Sequence, residues 1–251
     1  MDTNDGKVAI VTGASGGLGG AIAERLAADG FRVVLAYGTD DRAVRLAEGL
    51  PGATALPLPM DDLTAVERIG AELASEHPLV HALVCCAGRL DRHRLADVTP
   101  EELVGSFTVN CAAPVLLAKA LEAPLRAAHG AIVNVSSITA VAAGRNRIPY
   151  AAAKAALIGA TRGLALELAP DIRANAIVPG LFDTSMNAPL HDNGDLARET
   201  IRRIPLKRLG DPAEFAAAVS WLVGAAATYV TGTAFEIDGG VLARSALPAG
   251  D

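Results

Sequence analysis

The sequence predicts one α/β domain in which a doubly wound, seven-stranded parallel sheet is covered by helices on both faces. Short β-branched runs alternate along the whole chain with longer stretches whose apolar residues recur at helical spacing. The composition agrees, since 51% of the residues are hydrophobic and 20% are charged, which suffices for one sizeable core. No low-complexity tract or repeat marks a boundary, so residues 1–251 are expected to form a single domain.

Seven segments are predicted to be strands. Most of them are continuous apolar runs, as a sheet buried on both faces requires. In chain order they are Lys7–Thr12, Arg32–Ala36, Thr54–Leu58, Ala82–Cys86, Ala131–Ser136, Asn175–Val178 and Ala234–Ile237.

Helices are predicted between these strands from apolar positions spaced three and four residues apart. The segments are Ala21–Ala28, Leu63–Ser75, Glu101–Leu125, Tyr150–Ala169 and Pro212–Val223. The long irregular stretch at residues 180–210 is expected to be a mobile lid beside the functional site.

Charge and cysteine content disfavour several classes of protein. With 22 basic and 28 acidic side chains, the chain lacks the basic excess typical of nucleic-acid binding. Residues 1–5 do not resemble a signal peptide, and glycines and threonines interrupt the uncharged stretch 215–235, which disfavours a membrane span. The three cysteines cannot all pair and no further ligands are spaced for zinc, so we expect a reducing cytoplasm and no metal site.

A glycine-rich segment, residues 12–19 (Thr-Gly-Ala-Ser-Gly-Gly-Leu-Gly), directly follows the first predicted strand and opens a helix. Glycines at such a turn let the backbone approach a pyrophosphate at the positive end of the helix. The segment therefore indicates a dinucleotide phosphate site, although a tight turn alone also uses glycine.

Tyr150 and Lys154 lie four residues apart and so share one face of a predicted helix. A lysine charge within about 4–6 Å favours the phenolate and lowers a tyrosine pKa from its ordinary value of about 10. The pair therefore predicts acid–base chemistry, and its alternative interpretation is a solvated helix face.

The glycine segment, Asn110, Ser137, the Tyr150–Lys154 pair and Pro179-Gly180 occur in an order and spacing that resemble the short-chain dehydrogenase/reductase family. The likeness covers essentially the whole chain. The later segments 175–184, 204–212 and 229–240 are similar to those of its 3-oxoacyl-(acyl-carrier-protein) reductase branch.

The resemblance implies a Rossmann-type fold that binds a nicotinamide dinucleotide. It implies that Tyr150 transfers the proton, Ser137 holds the substrate oxygen, Lys154 also binds the nicotinamide ribose, and Asn110 holds a water that relays protons to the lysine. Considered alone, Asn110 is equally explained as a side-chain amide that hydrogen-bonds backbone groups at a helix kink. The residues expected to contact the cofactor are Gly13, Ser15, Gly16, Gly17, Leu18, Gly19, Tyr37, Gly38, Thr39, Met60, Asp61, Cys86, Ala87, Gly88, Tyr150, Lys154, Pro179, Gly180 and Thr184.

Two departures from the family pattern lie near the adenosine side of the cofactor site. Cys85-Cys86 stands where the family has two asparagines, and these thiols are expected to serve packing rather than metal or redox chemistry. Pro59 occupies the position of an acidic residue after the third strand, which leaves Met60 and Asp61 as candidates to contact adenine.

Cofactor choice is expected to depend on the end of the second strand, where a carboxylate would bind the ribose 2′-hydroxyl of NAD. The chain has Tyr37-Gly38-Thr39 there, and Thr39 with Arg42 is placed to receive a 2′-phosphate. NADPH is therefore favoured over NADH, although Gly16 stands where many NADP-preferring relatives carry a basic residue.

The expected function is NADPH-dependent reduction of a 3-oxoacyl thioester on a carrier protein, in fatty-acid or polyketide synthesis. Basic residues near the site suit an acidic carrier; they are Arg89, Arg92, Arg94, Arg198, Arg202, Arg203, Lys207 and Arg208. Local carboxylate partners are the alternative explanation for those arginines. The loop Gly144–Ile148 is expected to line the pocket without identifying a substrate.

Two other functions compete with this one. They are reduction or oxidation of a free small ketone, sugar or alcohol, and a dinucleotide-binding regulatory protein without catalysis. The resemblance also implies a homotetramer, with the segments Glu101–Leu125 and Tyr150–Ala169 at one interface and the C-terminal strand at another.

Overall fold

The computed structural model describes residues 6–187 and 193–243, and these residues form a seven-stranded parallel sheet with helices on both faces. The predicted fold class is confirmed, and all seven predicted strands are present with small differences in their ends. The strands are β1 Val8–Thr12, β2 Arg32–Tyr37, β3 Thr54–Pro57, β4 Ala82–Cys85, β5 Ala131–Val135, β6 Arg173–Pro179 and β7 Ala234–Ile237.

Nine α-helices occur among the described residues. They are α1 Gly17–Ala28, α2 Arg42–Glu48, α3 Leu63–Glu76, α4 Pro100–Phe107, α5 Ala113–Ala120, α6 Glu122–Ala127, α7 Ile148–Leu168, α8 Gly194–Arg202 and α9 Pro212–Val223. The short helix α2 was not predicted from the sequence.

The strand order is β3-β2-β1-β4-β5-β6-β7, so the direction of winding reverses between β1 and β4. In open parallel sheets, ligands bind outside the carboxyl ends of the strands at such a reversal. Thr12 pairs with Cys85 at the carboxyl ends of these two strands. The Thr12 side chain also accepts a hydrogen bond from the Ala87 amide at 3.1 Å, which holds the segments after both strands together.

The core lies on both faces of the sheet because side chains alternate along each strand. On one face, Ile10 and Leu83 pack with apolar side chains of α3, α5 and α7. On the other face, Val11 and Val84 pack with those of α1 and α9, including Phe215. The helices on both faces thus hold in place the carboxyl end of β1, which the glycine segment follows.

The predicted helix Glu101–Leu125 is wrong as a single element. Helix α4 passes into a π-helical turn at Thr108–Ala112, and separate helices α5 and α6 follow. Pro114, at the start of α5, has no amide hydrogen, and its ring would clash with the carbonyl of Asn110 in a regular α-helix. The wider turn accommodates the proline and places Asn110 within it.

Residues 180–210 were expected to be irregular, but the described part of this stretch contains helical elements. A 3₁₀ turn covers Ser185–Asn187, and α8 begins after Asn193, whose side chain accepts a hydrogen bond from the Leu196 amide at 3.0 Å. Residues 188–192 of the predicted lid lie outside the described residues, as do residues 1–5 and 244–251.

Among the described helices, Pro100–Ala120 is long and apolar enough to cross a membrane by length and composition alone. Its parts contact neighbouring elements, α4 against α7 and α5 against α3. A core helix of a soluble protein passes the same test, so the stretch is weak evidence for a span.

Candidate active site

A cleft at the carboxyl ends of the strands brings together most of the predicted site residues. It is lined by residues of the glycine segment, by the segment after β4, by Ser137, Tyr150 and Lys154, and by residues after β6. The predicted residues in its walls are Gly13, Ser15, Gly16, Gly17, Leu18, Gly19, Gly38, Cys86, Ala87, Gly88, Ser137, Tyr150, Lys154, Pro179, Gly180 and Thr184.

The glycine segment forms a turn that larger residues would obstruct. Gly13 has φ of +67°, and a Cβ there would lie 2.7 Å from the Ala87 backbone. Gly16 occupies the cap position of α1 and makes no side-chain capping hydrogen bond. Since the first amides of a helix attract anions, this uncapped helix end fits the pyrophosphate of a dinucleotide.

The residues that line the cleft beyond the end of β2 differ from those predicted to contact the cofactor there. Tyr37, Thr39, Met60 and Asp61 do not line the cleft, whose walls at this end include Asp40 and Arg42. Tyr37 packs against the core on the α1 and α9 face and Met60 is buried, which accounts for their absence from the wall.

Asp40 and Arg42 are joined by a salt bridge of 2.6 Å, and the Asp40 carboxylate also accepts a hydrogen bond from the Arg42 amide at 3.0 Å. These hydrogen bonds hold the pKa of Asp40 below its ordinary value. The Ser15 hydroxyl donates to the Asp40 carbonyl and so ties this loop to the glycine segment. An acid therefore does lie near the end of β2, one residue beyond the positions considered from the sequence, and it is paired with the arginine.

Ser137 follows β5 and its hydroxyl is oriented by Thr139. The Thr139 amide donates to Ser137 Oγ at 3.1 Å, and the Thr139 hydroxyl donates to the same atom at 2.9 Å. A hydroxyl oxygen has two acceptor sites, and both are filled here. The Ser137 proton therefore points into the cleft, where Ser137 is hydrogen-bonded to the Tyr150 hydroxyl.

Lys154 is 3% exposed, and its ammonium donates to the Val135 carbonyl at 2.7 Å. Burial lowers the pKa of this lysine to about 8. The Ser136 hydroxyl donates to the Lys154 carbonyl at 2.9 Å and fixes the helix against the end of β5. Lys154 is thus a buried cation close to its titration point at neutral pH.

Tyr150 does not have the lowered pKa that its spacing from Lys154 suggested. Burial raises the pKa of Tyr150, while the hydrogen bond with Ser137 and the charge of Arg147 oppose that rise. The Lys154 ammonium lies 5.9 Å from the centre of the Tyr150 ring and is directed to Val135. Tyr150 is therefore protonated at neutral pH, as a proton donor must be.

Asn110 does not line the cleft but supports its wall from the π-helical turn. Its Oδ1 accepts from the Arg89 amide at 3.1 Å, and its Nδ2 donates to the Arg89 carbonyl at 2.9 Å. A Cβ at Gly88 would lie 3.0 Å from Asn110 Oδ1 and 3.3 Å from Lys154 Nζ. Asn110 and the lysine therefore meet beside Gly88, where the absence of a side chain leaves room for both.

The tandem cysteines lie at the end of β4, with Cys85 buried and Cys86 in the cleft wall. Burial raises the pKa of Cys85 to about 12 and that of Cys86 to about 11. Both thiols are therefore protonated at neutral pH, which is typical of packing. No cluster of three or more metal-ligating side chains occurs in the part of the chain that the structure describes.

Most of the basic residues around the cleft have acidic partners. Arg198, Arg203 and Arg208 pair with Asp195, Glu199 and Glu214 respectively, and Arg89 and Arg94 pair with Asp91 and Asp97. The alternative explanation for these five arginines, local carboxylate partners, therefore applies. Arg92 and Arg147 differ, since both line the cleft itself.

Several other residues of the cleft wall were not predicted from the sequence, including Leu90, Leu181, Phe182, Ser185 and Asn187. They lie in loops after β4 and β6, and their position after strand ends was the only signal available.

Comparisons with known proteins agree with this geometry. A family model described as enoyl-(acyl carrier protein) reductase matches residues 13–242. The 3-oxoacyl-(acyl-carrier-protein) reductase FabG of Escherichia coli strain K12 is 33% identical over 240 residues, covering 94% of this chain and 98% of the relative. An uncharacterized oxidoreductase of Bacillus subtilis, YmfI, is 36% identical over 241 residues, covering 93% and 98%.

Solved structures with NADP bound are also similar. One is a putative gluconate 5-dehydrogenase from Beutenbergia cavernae, with TM-score 0.88, 34% identity, and coverage of 95% of this chain and 97% of the other. A second is a putative 2-deoxy-D-gluconate 3-dehydrogenase from Agrobacterium tumefaciens, with TM-score 0.86, 32% identity and the same coverage. The matched family and the arrangement of the cleft identify an NAD(P)-dependent oxidoreductase, and the chain belongs to the short-chain dehydrogenase/reductase family.

Proposed function

We propose that this protein is an NADPH-dependent ketoreductase that converts a carbonyl group to a secondary alcohol. The observation that carries the proposal is the meeting of Ser137, Tyr150 and Lys154 in one cleft with the uncapped end of α1. A regulatory protein that only binds a dinucleotide has no need of an oriented serine proton beside a protonated tyrosine.

The residues of the cleft fit a nicotinamide dinucleotide. The glycine segment and the end of α1 would hold the pyrophosphate, and Lys154 would hold the nicotinamide ribose. Bound NADPH supplies the hydride for reduction of the carbonyl carbon.

The protein's own residues manage the charge and the proton at the substrate oxygen. The Ser137 hydroxyl donates a hydrogen bond to the carbonyl oxygen and stabilises the negative charge that develops there. Tyr150 gives its phenolic proton to the same oxygen, which completes the alcohol. The nearby Lys154 ammonium favours the resulting phenolate, and Asn110 keeps the loop beside the lysine in place.

Preference for NADPH is proposed from Arg42, whose guanidinium lies in the cleft wall near the end of β2. A 2′-phosphate would compete with Asp40 for this guanidinium, whereas a 2′-hydroxyl would not displace the carboxylate. The NADP bound in two similar structures supports the same preference.

Two substrate classes are consistent with this site. A 3-oxoacyl thioester on a carrier protein is supported by the name of the Escherichia coli relative. A free small hydroxy or oxo acid is the second candidate, favoured by Arg92 and Arg147 in the cleft wall and by the putative gluconate dehydrogenases among the similar structures.

The test follows absorbance of the reduced nicotinamide with purified protein and NADPH or NADH. The substrates are a short 3-oxoacyl thioester on carrier protein, its free analogue, and a panel of small ketones and oxo acids. Turnover of any carbonyl with NADPH ahead of NADH supports the reductase. Tight NADPH binding without turnover of any substrate in the panel would instead favour the regulatory protein.

We also propose a cytoplasmic homotetramer. On α7, a Cβ at Gly159 or Gly163 would meet nothing within 4 Å, which leaves that face open to close approach by another helix. Tyr229 is fully exposed near the edge strand β7, and Phe235 of β7 is partly exposed. These features support an interface at α7 and another at β7, and a monomer in sedimentation at micromolar concentration would contradict them.

A further inference from the structure

Two arginines in the active-site cleft, Arg92 and Arg147, have no carboxylate within ion-pair distance among residues 6–187 and 193–243. Five other arginines near the cleft pair with acids, as described above. Arg147 is partly buried and Arg92 is at the exposed rim. Solvation accounts for the charge of the exposed Arg92, but Arg147 is partly shielded from water without a carboxylate partner, and such a charge needs a compensating group.

The backbone holds these two arginines near each other. The His93 amide, next to Arg92, donates to the Asn146 carbonyl, next to Arg147, at 3.0 Å. The loop after β4 and the loop before α7 are thereby joined. Burial, and then the charge of Arg92, lower the pKa of Arg147, so the two guanidinium groups lie close enough to disfavour each other.

Arg147 is also close to the reacting groups. It is the cap residue of α7 and precedes Tyr150 by three positions, which places both side chains on neighbouring parts of the first helical turn. Its charge acts directly on the pKa of the Tyr150 phenol. A group bound by Arg147 is therefore held within a few bonds of the carbonyl that Tyr150 protonates.

We propose that Arg92 and Arg147 bind the carboxylate of a small oxo acid and orient its carbonyl toward Ser137 and Tyr150. This inference rests on the proposed reductase function and chooses the second of its two substrate classes. Guanidinium groups match carboxylate geometry and form strong charge-assisted hydrogen bonds with it. A bound carboxylate would also relieve the repulsion between the two arginines.

A carrier-linked thioester does not supply such an anion at this distance. Its phosphate lies at the far end of the pantetheine arm, many bonds from the 3-oxo group, whereas Arg147 is one helical turn from Tyr150. The local ion pairs of the surrounding arginines likewise leave little unpaired charge to attract an acidic carrier. Both observations favour a compact anionic substrate.

The experiment compares oxo acids of four to six carbons with the methyl ester of each, at saturating NADPH, by kcat/KM. We expect the wild-type protein to prefer acid to ester by about 10- to 100-fold, the range for a charge-assisted contact. Arg147→Gln and Arg92→Gln, made separately, are expected to lose most of that preference through KM for the acid.

Because the acid and its ester are compared in the same variant, a general loss of folding or of proton transfer lowers kcat/KM for both substrates and leaves their ratio unchanged. Arg145→Gln is the matched control, because Arg145 lies on the same loop but outside the cleft wall. It should keep the wild-type ratio. A phosphorylated ketone and its unphosphorylated form are included as a further pair.

The outcomes separate this inference from the function on which it rests. Reduction of neutral ketones or thioesters without preference for acids would overturn the carboxylate site and leave the reductase intact. Retention of the acid preference in both Arg92→Gln and Arg147→Gln would also overturn it, as would a stronger preference for the phosphorylated ketone. Failure to reduce any carbonyl would overturn the reductase itself.

Discussion

Replacing Lys154 by methionine should stabilise the protein at neutral pH while abolishing its activity. Burial lowers the pKa of this lysine from 10.5 to about 8, so the folded state opposes the charge that the unfolded state carries freely. Each pKa unit corresponds to about 1.4 kcal/mol, which makes the cost of the buried charge about 3 kcal/mol.

Part of this gain is offset by a lost hydrogen bond. The Lys154 ammonium donates to the Val135 carbonyl at 2.7 Å, and methionine leaves that carbonyl without this donor. Such a loss costs about 1 kcal/mol. Methionine keeps the unbranched stem, so we expect a net stabilisation of about 2 kcal/mol, or about 4–8 °C in Tm for a domain of this size.

The pH dependence identifies the cause. Below about pH 8 the folded lysine is charged and its cost is fully present. Between about pH 8 and 10.5 the folded state loses the proton while the unfolded state keeps it, so wild-type stability gains relative to the variant. Denaturant unfolding near pH 7 and near pH 9.5 should therefore show a gap that narrows as pH rises.

Lys119→Met is the matched control, because Lys119 is an exposed lysine that pairs with Glu67. It should change stability by less than about 1 kcal/mol at either pH. A Lys154→Met variant that is less stable than wild type near pH 7, or a gap that does not depend on pH, would refute the assignment of a costly buried charge.

Three further substitutions test the other parts of the site. Tyr150→Phe should lower kcat by about 10²- to 10⁴-fold in the nicotinamide assay, whereas Tyr229→Phe, at an exposed tyrosine, should not. Gly88→Ala should crowd Asn110 Oδ1 and Lys154 Nζ, shift both slightly and lower kcat by up to about tenfold, and a pH–rate profile identical to wild type would argue against that shift. Arg42→Gln should raise KM for NADPH by about 10- to 100-fold without changing KM for NADH. The control Arg45→Gln removes an exposed salt bridge with an aspartate and should change neither KM. Equal losses for both cofactors in Arg42→Gln would contradict a 2′-phosphate contact.

The sheet could be predicted from the sequence because its inner strands are short apolar runs buried on both faces, whereas the edge strands β3 and β7 are partly exposed. A strand with one exposed face alternates apolar and polar residues, and a surface loop is mostly polar. A short continuous apolar run is therefore typical of a strand buried on both faces. The strand β7 has the predicted bounds, and the other strands differ only at their ends. The helix ends were harder to predict, because proline and capping geometry decide them. Pro114 widened the helix into a π-helical turn, and the helix ended at Ala120 although periodicity alone would have continued it.

Electrostatics within the site could not be predicted from spacing alone. The four-residue separation of Tyr150 and Lys154 suggested that the lysine lowers the tyrosine pKa. In the folded chain, the lysine is directed at a carbonyl of β5, and burial of the phenol has the larger effect. Which neighbour a buried charge faces depends on the adjacent strand, and the sequence of the helix does not contain that information.

At the cofactor end of the cleft, a charged residue of the wall was likewise not predicted from the sequence. The sequence places no carboxylate at residues 37–39, yet the loop after β2 brings Asp40 into the wall, and Arg42 neutralises it. An acid that is already paired does not repel a 2′-phosphate as a free one does, because the arginine offers the phosphate a cation in exchange. Preference for NADPH therefore does not depend on a missing acid. It rests on whether Arg42 exchanges its carboxylate partner for the phosphate, which is the equilibrium that the Arg42→Gln variant measures.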